Sequence, residues 1–452
     1  MGSGGKGMMR LNKRTKKGIM ILLSICLWVI PAYAMGFRTG KVVDFYTGKP
    51  LKGVWVTSND EVTLTDENGM FFAKTTGNKL VLRAHGYRRA EEVISPPPVN
   101  TPHLVRLLPF TPKGLYLSFY GIGYKGLRES ALKLIQETEL NTLVIDVKGD
   151  RGMIPYKSVI PLATEVGGQQ IITVREIDDL IKSLKAKGIY TIARIVVFKD
   201  NPLALAKPEF AIKTQGGAIW RDRENLAWVD PFKKEVWDYN IEIAIEAARH
   251  GFDEIQFDYV RFPDASGLQF SMDNTQENRV KAISGFLSEA KSRLAPLNVF
   301  LAADIFGYVC WNLNDTWIGQ KLEDLVSHLD YVSPMLYPSG FQYGIPGYRI
   351  PVVNPYEIVY RTLKRAQERT QFAPIRFRPW LQAFRDYAFD KRYFKDKEIR
   401  DQINAATEFG SGGWMLWNPC NVYSAFGLKK EEPLFEEGLV SFLPKNHKTV
   451  GF

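Results

Sequence analysis

The sequence predicts an α/β chain, a (β/α)8 TIM barrel with a small N-terminal β-sandwich domain. From Gly114 onward, short β-rich runs alternate with amphipathic helical segments, which is the pattern of a parallel sheet. Eight such units in about 310 residues fit a closed barrel enlarged by loop insertions. Before Gly114 the chain reads as short strands broken by turns, with no helical period. A doubly wound open sheet is the rival fold, but no Gly-rich phosphate fingerprint follows the first strand and no P-loop occurs.

The composition supports folded domains. With 452 residues, 45% apolar and 13% aromatic, the chain is neither disordered nor fibrous. Its net charge of +10 is concentrated at one end, since Lys6, Arg10, Lys13, Arg14, Lys16 and Lys17 supply six of those charges. The remainder is too weakly basic to suggest a nucleic-acid partner. The same six residues precede the apolar run from Ile19 to Ile30 and the small-x-small sequence Ala32-Tyr33-Ala34. That order predicts a signal peptide over residues 1–34, cleaved after Ala34, with membrane contact only through this transient leader. An uncleaved anchor is the alternative, although the run falls short of the ~20 residues that span a bilayer. Cys26 leaves with the leader. Cys310 and Cys420 then remain, free to pair only if their Cα atoms come within ~4.4–6.8 Å.

Residues 37–109 read as the sandwich. Strand-like runs fall at Lys41–Asp44, Gly53–Val56, Glu61–Thr65, Met70–Ala73 and Lys79–Arg83, with turns at Thr47-Gly-Lys-Pro and Asp66-Glu-Asn-Gly. Ser95-Pro96-Pro97-Pro98 predicts a stiff loop before a final strand. Gly40-Lys-Val-Val-Asp, Thr47-Gly-Lys-Pro-Leu-Lys-Gly-Val, Thr65-Asp-Glu-Asn-Gly-Met-Phe and His85-Gly-Tyr resemble the carboxypeptidase regulatory-like domain, a transthyretin-like sandwich. The resemblance implies a module without catalytic residues that packs on a neighbour or binds an envelope protein partner.

Residues 114–430 read as the barrel and 431–452 as a C-terminal tail. Strands are predicted at Leu115–Phe119, Thr142–Val147, Tyr190–Phe198, Glu254–Tyr259, Val299–Ile305, Tyr331–Leu336, Phe377–Ala383 and Gly413–Trp417. Helices fill the gaps around Leu127–Glu139, Val174–Lys187, Lys234–His250, Thr275–Leu294, Lys321–His328, Pro355–Glu368 and Lys397–Phe409. In such a barrel chemistry sits where strands end. Those ends carry Tyr120, Asp146 with Lys148, Phe198 with Asp200, Asp258 with Arg261, Asp304, Tyr337, Gln382, and Trp417 with Asn418. Acids and aromatics dominate. No histidine falls there, which argues against a His-ligated metal or a His-based triad, and no cofactor is expected.

Two carboxylates across a cleft split acid and nucleophile duties in glycoside hydrolysis. Asp258 and Asp304 end adjacent strands, so a retaining pair at ~5–5.5 Å is expected, with Asp258 attacking and Asp304 as acid and base. Apolar Ala302-Ala303 and Ile305-Phe306, together with Asp258, are expected to raise the Asp304 pKa. Either aspartate could instead cap a helix or pair with a cation. Trp311, Tyr337, Trp380, Trp414 and Trp417 offer flat faces for pyranose rings, although Trp414 could simply close the barrel. Asp146 and Lys148 alternate onto one face of their strand, as an ion pair binding sugar hydroxyls or as a satisfied internal pair. Arg261 either holds Asp258 ionised or anchors its loop through Asp264.

Trp228-Val-Asp-Pro-Phe, Val236-Trp-Asp-Tyr-Asn and Gly251-Phe-Asp-Glu-Ile-Gln-Phe-Asp-Tyr-Val-Arg-Phe-Pro resemble the putative glycoside hydrolase domain of bacterial secreted proteins. Asn141-Thr-Leu-Val-Ile-Asp-Val-Lys, Ala193-Arg-Ile-Val-Val-Phe-Lys-Asp and Tyr331-Val-Ser-Pro-Met-Leu-Tyr-Pro are similar to its other blocks, so the likeness runs from Gly114 to Gly427. It implies a carbohydrate substrate, an exported protein in the periplasm or outside a bacterium, and a barrel distantly related to the α-amylase and α-galactosidase groups. In those groups an aspartate ending strand four is the nucleophile, the place of Asp258. The α-amylase acid is a glutamate ending strand five, where this chain has Asp304. Its further aspartate after strand seven is unmatched, since Gln382 stands there and Asp386 follows four residues on. A glycan-binding barrel without turnover and a structural envelope scaffold are the non-enzymatic alternatives.

Overall fold

Val42, Val54, Val56, Leu80, Leu82, Val105 and Leu107 share one buried apolar layer, and their alternation with exposed neighbours gives two facing sheets. The computed structural model describes residues 1–2, 36–59, 61–75, 78–94 and 102–430. The expected leader cleavage site, Cys26, the proline run and the tail at 431–452 lie outside the described residues. The strands before the barrel are β1 (Gly36–Asp44), β2 (Trp55–Ser58), β3 (Glu61–Leu64), β4 (Met70–Thr75), β5 (Lys79–Arg83), β6 (Ala90–Val93) and β7 (His103–Leu107). One sheet has the order β4-β1-β7 and the other β3-β2-β5-β6. β7 is the strand expected beyond the prolines. β6, whose sequence is Ala-Glu-Glu-Val, carries too much charge to be read as a strand from sequence.

Then come β8 (Lys113–Leu117), β9 (Thr142–Lys148), β10 (Tyr190–Val196), β11 (Lys213–Thr214), β12 (Glu254–Asp258), β13 (Leu268–Gln269), β14 (Phe300–Phe306), β15 (Tyr331–Met335), β16 (Trp380–Gln382) and β17 (Trp414–Trp417). β11 and β13 pair with each other in the loops, and the other eight close a parallel barrel in the order β10-β12-β14-β15-β16-β17-β8-β9. Closure excludes the open-sheet rival. The seven expected helices are present, and three short ones, Phe119–Gly123, Pro161–Glu165 and Asn201–Ala206, are added in the βα loops. No helix among the described residues is long and apolar enough to cross a membrane. Cys310 is buried and Cys420 exposed, and neither forms a disulfide.

Period-two alternation decides which side chains fill the barrel. Val144, Ile192, Ala302, Trp380 and Met415 cluster inside, while Ile145, Ile195, Ala303, Leu381 and Leu416 join the larger core shared with the helices. The N-terminal end is closed by a buried ion pair, Arg378 Nη1 to both Glu254 oxygens at 2.7 and 2.6 Å, with Tyr190 Oη donating to Glu254 at 2.9 Å. The sandwich docks on that same end. Arg83 Nη1 reaches Asp330 Oδ2 at 2.8 Å, the Gly86 amide reaches Tyr331 Oη at 3.1 Å, and Asn298 Nδ2 reaches Thr57 Oγ1 at 2.7 Å. The opposite end, where strands stop, carries the βα loops, the side of such a barrel where chemistry sits.

Candidate active site

Parallel register brings the first charged residues together. Arg194 on β10 pairs in register with Asp146 on β9, and Val196 pairs with Asp258 on β12. Arg194 and the two aspartates therefore face the barrel axis near its C-terminal end. Arg194, fully buried, donates from Nε and Nη2 to Asp258 Oδ2 at 2.9 and 2.6 Å, from Nη1 to Asp146 Oδ1 at 2.7 Å and from Nη2 to Asp150 Oδ1 at 2.8 Å. Burial works against its charge, but Asp150, Asp258 and Asp146 outweigh that and lift its pKa well above the ordinary guanidinium value. Asp146 also accepts from Tyr116 Oη at 2.8 Å and from the Phe119 amide at 3.0 Å. Burial raises its pKa despite the opposing pull of Arg194.

Asp304 on β14 is 1% exposed. Its Oδ1 accepts from Gln256 Nε2 and from Trp380 Nε1, each at 2.7 Å, and its buried Oδ2 has no partner. Burial first, and then the charge of Asp258, push Asp304 well above the usual carboxylate range, against the pull of Arg194 and the bonds from Trp380 and Gln256. The neighbouring Asp258 is ion-paired. Just beyond it, Tyr259 holds a left-handed backbone at φ 49° and turns its amide onto Asp258 Oδ1 at 2.6 Å. Such a conformation in an aromatic residue costs about 1–3 kcal/mol and clusters at functional sites.

A cleft of about 210 Å³ opens beside this network, lined by Tyr116, Ser118, Tyr120, Asp146, Asp150, Arg151 and Trp417 among others. Tyr116 and Trp417 stack with centroids 4.0 Å apart, and Trp380 stands edge-on to both. Glycine at 149 lets the chain pass, because a Cβ there would lie 3.0 Å from Asp146 Oδ2 and 3.2 Å from Phe119 Cβ. Tyr337 belongs to the same interior, where burial, then Asp304 and Asp258, raise its phenol pKa.

Several expected residues stand elsewhere. Lys148 does not pair with Asp146: the β9–β10 register shifts between Arg194 and Ile195, so Lys148 turns outward and bonds Asp200 Oδ2 at 2.5 Å. Trp311 donates to Thr362 Oγ1 at 3.0 Å and lines an outer groove along the helix Pro355–Thr370, away from the carboxylates. Trp414 is on the outward face of β17, in the core. Gln382 spends its amide on Ser339 and the Phe384 carbonyl. Asn418 spends its own on the carbonyls of Ala383 and Val422 and on the Cys420 amide. Arg261 makes no ion pair with Asp258 or Asp264 among the described residues; its guanidinium lies against Trp228, Tyr259 and Phe306 and donates to the Phe262 carbonyl. Asp386 is used up by Ser339 and three backbone amides, which hold it down at about 2 in spite of burial. Sequence reasoning missed Arg194, Asp150 and Tyr116. Tyr190, Ile192 and Arg194 alternate onto one strand face, and that was the available signal for Arg194.

A barrel that stops its strands on acids and stacked rings belongs to the class of parallel-barrel proteins with an acid-lined cleft. More narrowly, the chain is a member of the family described as "putative glycosyl hydrolase domain", whose model matches residues 114–423, in agreement with the resemblance carried by the Asp258-Tyr-Val-Arg-Phe-Pro block. No curated protein matches it. Among solved structures, the PgaB (BpsB) glycoside hydrolase domain from Bordetella bronchiseptica is similar with a TM-score of 0.51 at 12% identity, over 69% of this chain and 95% of that one. That likeness is one of fold. A hypothetical protein from Ruminiclostridium thermocellum is 39% identical over 42% of this chain and 96% of its own, with a TM-score of 0.38. The spore cortex-lytic enzyme SleL from Bacillus megaterium matches 72% of this chain and 76% of its own at 13% identity, with a TM-score of 0.40.

Proposed function

We propose that the protein is an exported glycoside hydrolase that cleaves a polysaccharide or oligosaccharide by double displacement. The observation that carries the reading is the contrast between an ion-paired Asp258 and a neighbouring Asp304 whose unpartnered Oδ2 is the oxygen left to hold a proton. Asp258 attacks the anomeric carbon through Oδ1, while Arg194 holds Oδ2. The bond to the leaving oxygen breaks as Asp304 gives that oxygen its proton. Water then attacks the same carbon, Asp304 takes the proton, and the bond to Asp258 breaks. Tyr116, Trp417, Asp146 and Asp150 form the wall that receives a sugar ring, and burial of Arg194 concentrates the charge at the reacting end. The N-terminal sheets are assigned to the carboxypeptidase regulatory-like class on their turn motifs, with a supporting role.

A glycan-binding barrel without turnover is the second reading, favoured by the burial of both aspartates in the free protein. A screen of the secreted form against bacterial exopolysaccharides and α-linked glycans separates the two. Released reducing ends that vanish in Asp258→Asn mark the enzyme; retention of glycan with no released ends marks the binder. A structural scaffold calls for buried rim aromatics and no bound glycan; Trp380 and Trp414 are buried and Trp311, Tyr337 and Trp417 half-buried, so the same screen, with neither released ends nor retained glycan, would mark the scaffold.

A further inference from the structure

The loop that follows β14 carries backbone strain at two adjacent residues. Thr316 and Trp317 both sit in the left-handed backbone region, at φ 55° and 62°. That region is unfavourable for any side chain and most of all for a β-branched one. The buried Thr316 Oγ1 also lacks a hydrogen-bond partner. The turn they make carries Asp315, Ile318 and Gln320 inward and leaves the Trp317 side chain 72% exposed.

The strain is held by a rigid clamp. Arg279, at the start of the helix Gln276–Leu294, donates from Nε and Nη2 to the buried Asp315 at 2.6 and 3.1 Å, and from Nη1 to Asn274. Asp315 in turn accepts from the amides of Trp317 at 3.1 Å and Gly319 at 3.0 Å. The guanidinium carbon of Arg279 lies 5.7 Å from the Trp317 ring centroid, so it backs one side of the indole. A few residues on, Gln320 bonds the carbonyls of Val260 and Asp304 at 3.4 and 3.2 Å, and the Phe262 amide bonds the Ile318 carbonyl at 2.8 Å. The loop is therefore fastened to the chain segments that carry Asp258 and Asp304. The helix that backs Trp317 belongs to the outer ring, one layer out from the barrel axis.

We propose that Trp317 is a peripheral sugar-binding platform, stacking on a ring of the substrate chain several units away from the bond that is cut, and that the substrate is accordingly a polymer. This rests on the glycan reading above. With Arg279 behind one side of the indole and most of Trp317 open to solvent, the other face is left for contact with a ligand. A flat aromatic face, fixed in orientation, binds the apolar face of a pyranose without ordering a flexible side chain. Its place on the βα face, on a loop tied to Asp304, names the substrate as its occupant.

The test uses the full chain carrying Asp258→Asn, so that binding is read without turnover, with and without Trp317→Ala. Because Trp317 is exposed, its removal is not expected to disturb folding. The probes are malto-, cello- and chito-oligosaccharides of two and six units, measured by calorimetry. For a series that binds, Trp317→Ala should weaken the six-unit ligand about tenfold and leave the two-unit ligand unchanged, with Trp317→Phe recovering part of the loss. Equal affinity for the six-unit ligand overturns the platform while leaving the glycan reading in place. Loss of the two-unit ligand as well overturns its peripheral position. Absence of binding by every probe, together with absence of hydrolysis of polysaccharides by the native chain, overturns the glycan reading and the platform with it.

Discussion

Arg194 serves three carboxylates with one guanidinium, and this decides what substitutions at the site will do. Asp258→Asn keeps the shape and loses the charge, so turnover should fall by several orders of magnitude. Folding should also weaken, by about 1–3 kcal/mol, because Asp258 is buried against Arg194 and not on an open rim; Asp146 and Asp150 limit the loss. Rates and urea melts on the same variant check both. Asp304 makes a second prediction, this one in pH. Its folded pKa is raised, so the folded state binds its proton more tightly than the unfolded chain does. The stability this contributes is complete below the unfolded carboxylate pKa of about 4 and is lost as pH rises through the folded value. Asp304→Asn should therefore flatten the decline in stability above pH 4, and it should slow poor leaving groups far more than activated aryl glycosides. Azide should restore its turnover of activated substrates, and a variant as steeply pH-sensitive as the native chain would refute the assignment. Both aspartates were legible because each ends a β-rich run. Asp150 was not, because it lies in a loop that sequence does not fold back onto β10.

At the scale of elements, all eight barrel strands were legible because β-branched runs alternate with helical periods. One irregularity escaped. Asp146-Val147-Lys148 alternates regularly in sequence, yet the register shift opposite Arg194 sends Lys148 to the outer side of the wall. There it lies against Asp200, which also accepts from the Leu203 amide at the start of the helix Asn201–Ala206, and near the Tyr239 ring. A shift of this kind depends on pairing between strands, which no local pattern reports. Lys148→Met should cost about 3–5 kcal/mol by leaving Asp200 buried without its cation. Denaturant melts should show that loss while KM stays near the native value; a large rise in KM at native stability would return Lys148 to the cleft. The β-strand count before the barrel fell short for a similar reason, since β6 is defined by pairing with β5 and not by its own residues.

At the scale of the molecule, the sandwich closes the barrel floor. Nothing in its sequence suggests an acid-base pair, which reads as dispensability, yet the docking contacts make it part of barrel stability. Arg83 and Asp330 are both nearly fully buried, and removing either leaves the other uncompensated. Arg83→Met should cost about 3–5 kcal/mol, and Arg83→Met with Asp330→Leu should recover most of it. Although burial alone would raise the pKa of Asp330, Arg83, His85 and the Leu301 amide depress it strongly. The stability it contributes is present above the unfolded pKa of about 4 and is lost as pH falls toward the folded value. Calorimetric unfolding of the native chain should therefore weaken below pH 4, and the double variant should lose this component. Equal acid sensitivity in both would place the titrating group elsewhere. The interface was illegible because Arg83 and Asp330 lie far apart in sequence, on two elements that each read as self-sufficient.

The central claim is that Asp258 bonds to the anomeric carbon before water does. The most direct measurement is the configuration of the first product, followed by proton NMR immediately after the enzyme is added to a substrate found in the glycan screen. Two displacements at one carbon give a product that keeps the substrate's anomeric configuration, and that is the result predicted. An inverted first product would contradict the account and make Asp258 a base acting on water.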